Sequence, residues 1–275
     1  WSCKNECSTK IYLFSFFFIL LLNSIFSNII IILKMKKILL YILLGTLAIS
    51  SCKSDDDEDT VEVVSIETQN SYDDQAAQAF LKAYYFDPQG KIVAFSSTDT
   101  TDDNYPSLFT YNPVTLASGV IIVQRPTAQP NPGKTINDQD VLRLTSISYS
   151  FLATNTTDGP VFSSQQDFVN TIANSGVPEV DPFYFYRKTA DLNSQARSYY
   201  EIEGFQEGIK YFKSCEIPDV DNYNMQGIII VPSRAAYARD SNAFDIPLYN
   251  VAFSDRSFVF NVQVYKTATR TADEF

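Results

Sequence analysis

Four strand-length apolar runs around one short stretch of helical spacing constrain this chain more than anything else in it. Residues 119–125 (GVIIVQR) and 227–232 (GIIIVP) are nearly continuous hydrophobic runs, as in strands buried on both faces. Residues 141–153 (VLRLTSISYSFLA) and 257–266 (SFVFNVQVYK) alternate apolar with polar, which is how a strand with two unlike faces reads. In the first of these, Val141, Leu142, Leu144, Ile147, Tyr149 and Phe151 keep the alternation with one slip. Ahead of the last two runs, residues 200–213 (YEIEGFQEGIKYFK) place Ile202, Phe205, Ile209 and Phe212 near helical spacing, with Glu203, Gln206, Glu207 and Lys210 outside. An apolar stripe that short must bury itself against a flat partner. The order of elements therefore predicts an α+β chain, with an antiparallel β-sheet of about five or six strands wrapped around one short α-helix.

The segments between carry their own signals. Residues 71–87 (SYDDQAAQAFLKAYYFD) predict an N-terminal helical extension, capped at Ser71 or Asp73, with Ala76, Phe80, Leu81 and Tyr84 on one face. A short strand is expected over Val61–Ile66 and another over Lys91–Phe95, with a turn at Asp87–Gly90. Residues 126–140 hold three prolines and read as an irregular connection. Residues 167–176 suit a short helix ended by Gly176, and residues 182–188 (PFYFYRK) are aromatic and extended or looped.

Composition excludes several kinds of chemistry. There is no histidine, the commonest general base and metal ligand, and the net charge is −11, so neither a metal centre nor a nucleic-acid footprint is expected. No cofactor is expected either. At the N-terminus, residues 11–33 form an apolar run long enough to span a bilayer. Met35, Lys36 and Lys37 then precede an apolar stretch, Ile38–Ile49, followed by Ser50, Ser51 and Cys52, the layout of a secretory signal peptide. Residues 1–34 then read as lying upstream of a start at Met35; two membrane helices are the alternative. Without Lys4, Glu6, Lys10, Lys34, Lys36 and Lys37, the net charge becomes −15. The reading divides the chain into residues 1–34, a signal peptide at 35–51, an acidic tether at 52–70, the helical extension at 71–117, a domain at 118–267 and a tail at 268–275.

Ile49-Ser50-Ser51-Cys52 resembles a bacterial lipobox, which implies cleavage before Cys52 and acylation of its sulfur. The following KSDDDED (53–59) is similar to the tethers of Bacteroidetes lipoproteins; by composition alone it is a solvated, extended linker. The resemblance implies a lipid-anchored protein of the bacterial outer membrane or cell envelope, periplasmic or surface-facing. With Cys52 acylated, Cys215 would be the one remaining cysteine of the mature chain, which leaves no internal disulfide.

The domain itself resembles the FKBP-type peptidyl-prolyl isomerases. Glu201-Ile202-Glu203-Gly204-Phe205-Gln206-Glu207-Gly208-Ile209 is similar to that family's helix pattern V-I-x-G-W-x-E-G. Val231-Pro232 through Tyr237-Ala238 is similar to its turn I-P-P-x-x-A-Y-G, and Phe258-Val259-Phe260-Asn261-Val262 to its closing strand. Upstream, Tyr149 to Leu152 with Asp158-Gly159-Pro160-Val161-Phe162-Ser163-Ser164 is similar to Y-x-G-x-L with D-G-x-x-F-D-S-S. The resemblance covers roughly residues 118–267 and resembles most the lipoprotein forms in flavobacteria.

The resemblance implies a pocket for a prolyl residue, walled by Tyr149, Phe162 and Phe260, floored by Phe205 and flapped by Val251. It further implies that the Ile202 backbone N–H and the Tyr237 hydroxyl donate to substrate carbonyls. Taken singly, each of these side chains reads equally well as ordinary core. The implied function is a lipid-anchored prolyl isomerase that assists folding of exported, proline-containing polypeptides. Rotation about the prolyl amide meets a barrier of about 18–20 kcal/mol, and an apolar pocket favours the twisted, less polar transition state. The family's acid after the Phe is Ser163 here, and its turn glycine is Ala238. The first departure favours an alternative, an FKBP-fold binding module with little turnover. An adhesin or nutrient-binding lipoprotein on an unrelated β fold is a third reading.

Overall fold

The computed structural model describes residues 64–240 and 252–274. The expectations placed on Cys52, on the leader, on most of the tether and on Val251 lie outside the described residues.

The chain runs α1 (Ile66–Ala83), β1 (Tyr84–Phe86), β2 (Ile92–Ala94), β3 (Val114–Thr115), β4 (Ile121–Gln124), β5 (Lys134–Thr135), β6 (Asp140–Thr156) and β7 (Gly159–Asn170). It continues through α2 (Thr171–Asn174), β8 (Glu179–Val180), α3 (Glu203–Ile209), β9 (Lys213–Ser214), β10 (Gly227–Val231) and β11 (Arg256–Thr269). The main sheet is antiparallel, in the order β3-β4-β10-β11-β6-β7, with β8 added on β6. This is the α+β architecture expected, with one strand more than the upper estimate.

The continuous apolar run of β10 sits in the middle of the sheet, between β4 and β11, and all five of its residues are buried. A strand covered on both sides has no solvent face to alternate with. One core fills the α3 side of the sheet, with Ile229, Val231, Phe258, Phe260, Val262 and Phe205. A second fills the opposite side, with Ile228, Ile230, Val259, Phe151, Phe80 and Leu81. Strand parity separates the two.

Strand β6 does not slip. Leu142 and Leu144 belong to the α3-side core, while Phe151 and the half-buried Tyr149 belong to the other. Past Leu144 the α3-side positions are serines. Ser146 Oγ lies 2.9 Å from the Tyr184 hydroxyl, Ser148 Oγ bonds the Val169 backbone, and Ser150 Oγ accepts from Arg256 Nε. The apolar pattern changes parity because the two cores claim different halves of one strand. The irregularities lie on the partners, at Val264/Lys266 in β11 and in the β7 register.

Helix α3 approaches the sheet closely because of its glycines. A Cβ on Gly204 would stand 2.5 Å from Val231 Cγ1, and one on Gly208 2.6 Å from Ile229 Cγ2. Any side chain there would push the helix off β10.

Helix α1 begins earlier than expected. Ser65 is its cap, its Oγ accepting from the Thr68 N–H at 3.1 Å, so the end of the expected strand at Val61–Ile66 is already helical. Asp73 is therefore mid-helix and fully buried, not a cap. The helix stops at Ala83, and Tyr84–Phe86 pair with β2. Its Ala76, Ala77, Phe80 and Leu81 cover β6 and β7. At the other predicted helix, β7 runs on to Asn170, whose side chain caps the single turn α2 through the Ala173 N–H at 2.9 Å. No helix among the described residues is long and apolar enough to cross a membrane.

Candidate functional site

Among the described residues, a dense cluster of aromatic rings lies at the N-terminal end of α3. The Phe205 ring centroid is 4.7 Å from that of Phe260 and 4.9 Å from that of Tyr184. Phe258 stacks on Phe260 at 6.0 Å and meets the edge of Tyr237 at 5.7 Å. Phe168 and Phe253 close the cluster, 5.4 Å apart. All these rings are buried, and Phe183 stands half-exposed beside Phe168 at 5.6 Å.

Three of the five aromatic residues expected to converge do so: Phe205, Tyr237 and Phe260. The other two do not join them. Phe162 stacks on Phe151 at 5.2 Å and Tyr149 lies 6.3 Å from the same ring, on the α1 side of the sheet. The cause is parity. Tyr149 is opposite Val259 in the ladder, and Val259 faces α1. A one-residue offset in matching the motif moves a side chain to the other face. The ring that β7 contributes to the cluster is Phe168, six residues beyond Phe162. Ser163, at the position of the family's acid, spends its hydroxyl inside the hairpin, donating to the Leu152 carbonyl at 3.0 Å. Asp167 is exposed and acts from the α1 side, where with burial it raises the Tyr149 phenol.

The two expected donors are both engaged within the chain. Ile202 N–H donates to the Tyr184 carbonyl at 2.8 Å. Tyr237 Oη donates to the Tyr200 carbonyl at 2.7 Å. Burial pushes the Tyr237 phenol well above its ordinary value, so it stays a protonated donor. Among the described residues no group of three His, Cys, Asp or Glu side chains is arranged to hold a metal ion.

Sequence reasoning missed Phe168, Phe183, Tyr184, Tyr200 and Phe253. The aromatic run PFYFYRK was visible, but its burial was not. Tyr184 is fully buried through its bond to Ser146, and burial raises its phenol as well. A cavity of about 290 Å³ opens next to the cluster, behind Phe185 and Ile209, with Arg197, Glu201, Gln206 and Lys210 on its polar side.

The turn that carries Tyr237 is fastened to α1. The Asp73 carboxylate accepts from the Ser233 N–H at 2.8 Å, the Ser233 hydroxyl at 2.5 Å and Gln69 Nε2 at 3.1 Å. Arg234 reaches back to Asp74 at 2.6 Å. Ala238, where the resembled pattern has glycine, holds φ at 50°.

No protein-family model matches the chain, and no curated protein matches it. Among solved structures the chain is similar to FkpA from Escherichia coli, at 18% identity and a TM-score of 0.31. That match covers 57% of this chain and 52% of the other, so the chain spans about half of the FkpA structure. It is similar to the N-terminal domain of FKBP42 from Arabidopsis thaliana at 16% identity and a TM-score of 0.35, covering 57% of this chain and 92% of that one. It is also similar to a peptidyl-prolyl cis-trans isomerase from Pseudomonas syringae pv. tomato at 10% identity and a TM-score of 0.33, covering 75% and 98%.

Proposed function

We propose that this protein is a prolyl isomerase of the FKBP type that acts on exported, proline-containing polypeptides. The observation that carries the reading is the meeting of Phe205, Phe260, Phe258, Phe168 and Tyr237 at the head of α3, the place to which the sequence motifs point. These rings are buried in the structure; once uncovered, such a cluster takes a proline ring, and a neutral phenol can hold a neighbouring carbonyl. The chemistry asks for no nucleophile, metal or titrating base, because the transition state is a twisted amide that an apolar wall favours. Uncatalysed prolyl isomerisation takes tens of seconds or longer, slow enough to limit folding after export. Anchoring through an acylated Cys52 at the cell envelope completes the proposal; a Cys52→Ser chain is expected in the soluble fraction.

One specific observation favours the second reading, a binding module with little turnover. Both expected donors, the Ile202 N–H and the Tyr237 hydroxyl, are already bonded within the chain. A protease-coupled assay on succinyl-Ala-Leu-Pro-Phe-p-nitroanilide separates the two. Acceleration by the full chain, lost on adding a macrolide FKBP inhibitor, is expected of the isomerase. Peptide binding without acceleration would leave the module.

A further inference from the structure

We propose that residues 188–201 form an autoinhibitory strap, which occupies the carbonyl-binding position of the aromatic site and must lift before a polypeptide can enter. The inference rests on the functional reading above and goes one step beyond it, to what holds the site closed.

The first observation is the acceptor of the Tyr237 hydroxyl. It is the backbone carbonyl of Tyr200, at 2.7 Å; on the proposed reading, a bound polypeptide presents its own carbonyl to this same hydroxyl. The strap thus supplies the same chemical group as the ligand. Tyr199 and Tyr200 lie edge to face at 4.9 Å and pack half-buried against the α3-side core, so the covering is apolar as well as polar.

The second observation is the exposure of the strap's span. From Lys188 to Ser198 every residue is exposed except Leu192 and Arg197, which are intermediate. Asn193 and Ser194 have φ of 48° and 66°, left-handed values that cost a residue with a side chain. A segment with few buried apolar contacts and strained backbone opens at low free energy.

The third observation is the latch. Arg197 Nη1 donates to Glu201 Oε1 at 2.8 Å and to the Arg187 carbonyl at 2.5 Å, while its Nη2 reaches Thr189 Oγ1 at 3.1 Å. Glu201 Oε1 also accepts the Arg187 N–H at 2.8 Å. The same guanidinium lies 4.8 Å over the Tyr186 ring, and Glu201 Oε2 accepts from Gln206 Nε2 of α3 at 3.1 Å, so this one ion pair ties the strap both to itself and to the domain. Arg197 and Glu201 also line the cavity of about 290 Å³, which leaves the latch room to move on that side.

If only a fraction of molecules have the strap lifted, apparent affinity is reduced by that fraction, and loosening the latch returns it. The test is the affinity of the full chain for succinyl-Ala-Leu-Pro-Phe-p-nitroanilide, by titration calorimetry, in wild type, Arg197→Ala and Glu201→Gln. The Glu201→Gln change keeps the shape of a more buried group and serves if Arg197→Ala fails to fold. The expected result is peptide binding tighter by about threefold or more in a folded variant. If turnover occurs at all, KM falls with little change in kcat. Unchanged or weaker binding in the folded variants overturns the strap. Tighter binding with no turnover in any form supports the strap while sinking the isomerase reading, so the two can fail separately.

Discussion

On its α3 side the sheet meets a seven-residue helix, two glycines and a crowd of rings delivered by loops; on its α1 side it meets an 18-residue helix lying along β6 and β7. Both sides bury aromatic residues. They differ in what supplies the cover. α1 is a regular helix with its apolar stripe against the sheet, and its Phe80 forms an ordinary aromatic core with Phe151 and Phe162. Loop residues 183–201 cover the other face, with backbone carbonyls among the rings. The difference separates a face covered by one continuous helix from a face covered by loop, which is the face the proposed function needs to open.

The sharpest break in that comparison comes from paired truncations. Phe205→Ala removes a fully buried ring that touches Tyr184 and Phe260, and is expected to cost about 4 kcal/mol. Leu81→Ala, equally buried under α1, should cost about 3 kcal/mol. Urea unfolding measures both. The comparison adds that a Leu81→Ala chain, while folded, binds the proline peptide as wild type does, whereas Phe205→Ala does not. Equal loss of binding in both would mean the faces are not functionally separate.

Next in size is a pH effect on the helix face. Burial raises the Asp73 carboxyl above its usual 3.8, against the opposing hydrogen bonds from Ser233 and Gln69. The folded chain then holds this proton more readily than the unfolded chain does. The contribution of Asp73 to stability is therefore fullest below the unfolded value and is lost as pH rises through the raised folded value. Asp73→Asn cannot titrate. The wild-type melting temperature, relative to that of the variant, should rise as pH falls from 7 towards 4. A constant difference would show that the hydrogen bonds from Ser233 and Gln69 cancel the cost of burial, and one moving the other way that they exceed it; either result overturns the prediction.

Much of this fold was legible in the sequence, and the reason lies in particular residues. The GIIIV run could only be a central strand, and the glycines of EGFQEG mark a helix pressed on a sheet. α1 was visible from Ala76, Phe80 and Leu81, though its start was not, because Ser65 and Ser71 are equally good caps and only tertiary burial of Gln69 and Asp73 decides between them. The site was legible in part. Phe205, Tyr237 and Phe260 lie on elements whose parity the motifs fix. Tyr149 and Phe162 lie on two strands whose serines hide which face is which, and the motif resemblance placed them in the pocket although both pack on the α1 side. That the Tyr200 carbonyl meets the Tyr237 hydroxyl depends on long-range folding that no local pattern carries.

The smallest effect is the most discriminating. Phe162 is only half-buried and stacked on Phe151, so Phe162→Ala should cost about 1–2 kcal/mol, below the range for a fully buried ring. Proline-peptide affinity should stay within about twofold of wild type, since little more than a fraction of RT separates such values. Phe168→Leu, six residues along the same strand but on the other face, keeps most of the buried volume and should weaken binding clearly, because Leu lacks the flat edge that Phe168 presents to Phe253 and Phe258. Reversed outcomes, with Phe162 needed and Phe168 dispensable, would mean that the ligand enters from the α1 side and that the parity argument assigns the site to the wrong face.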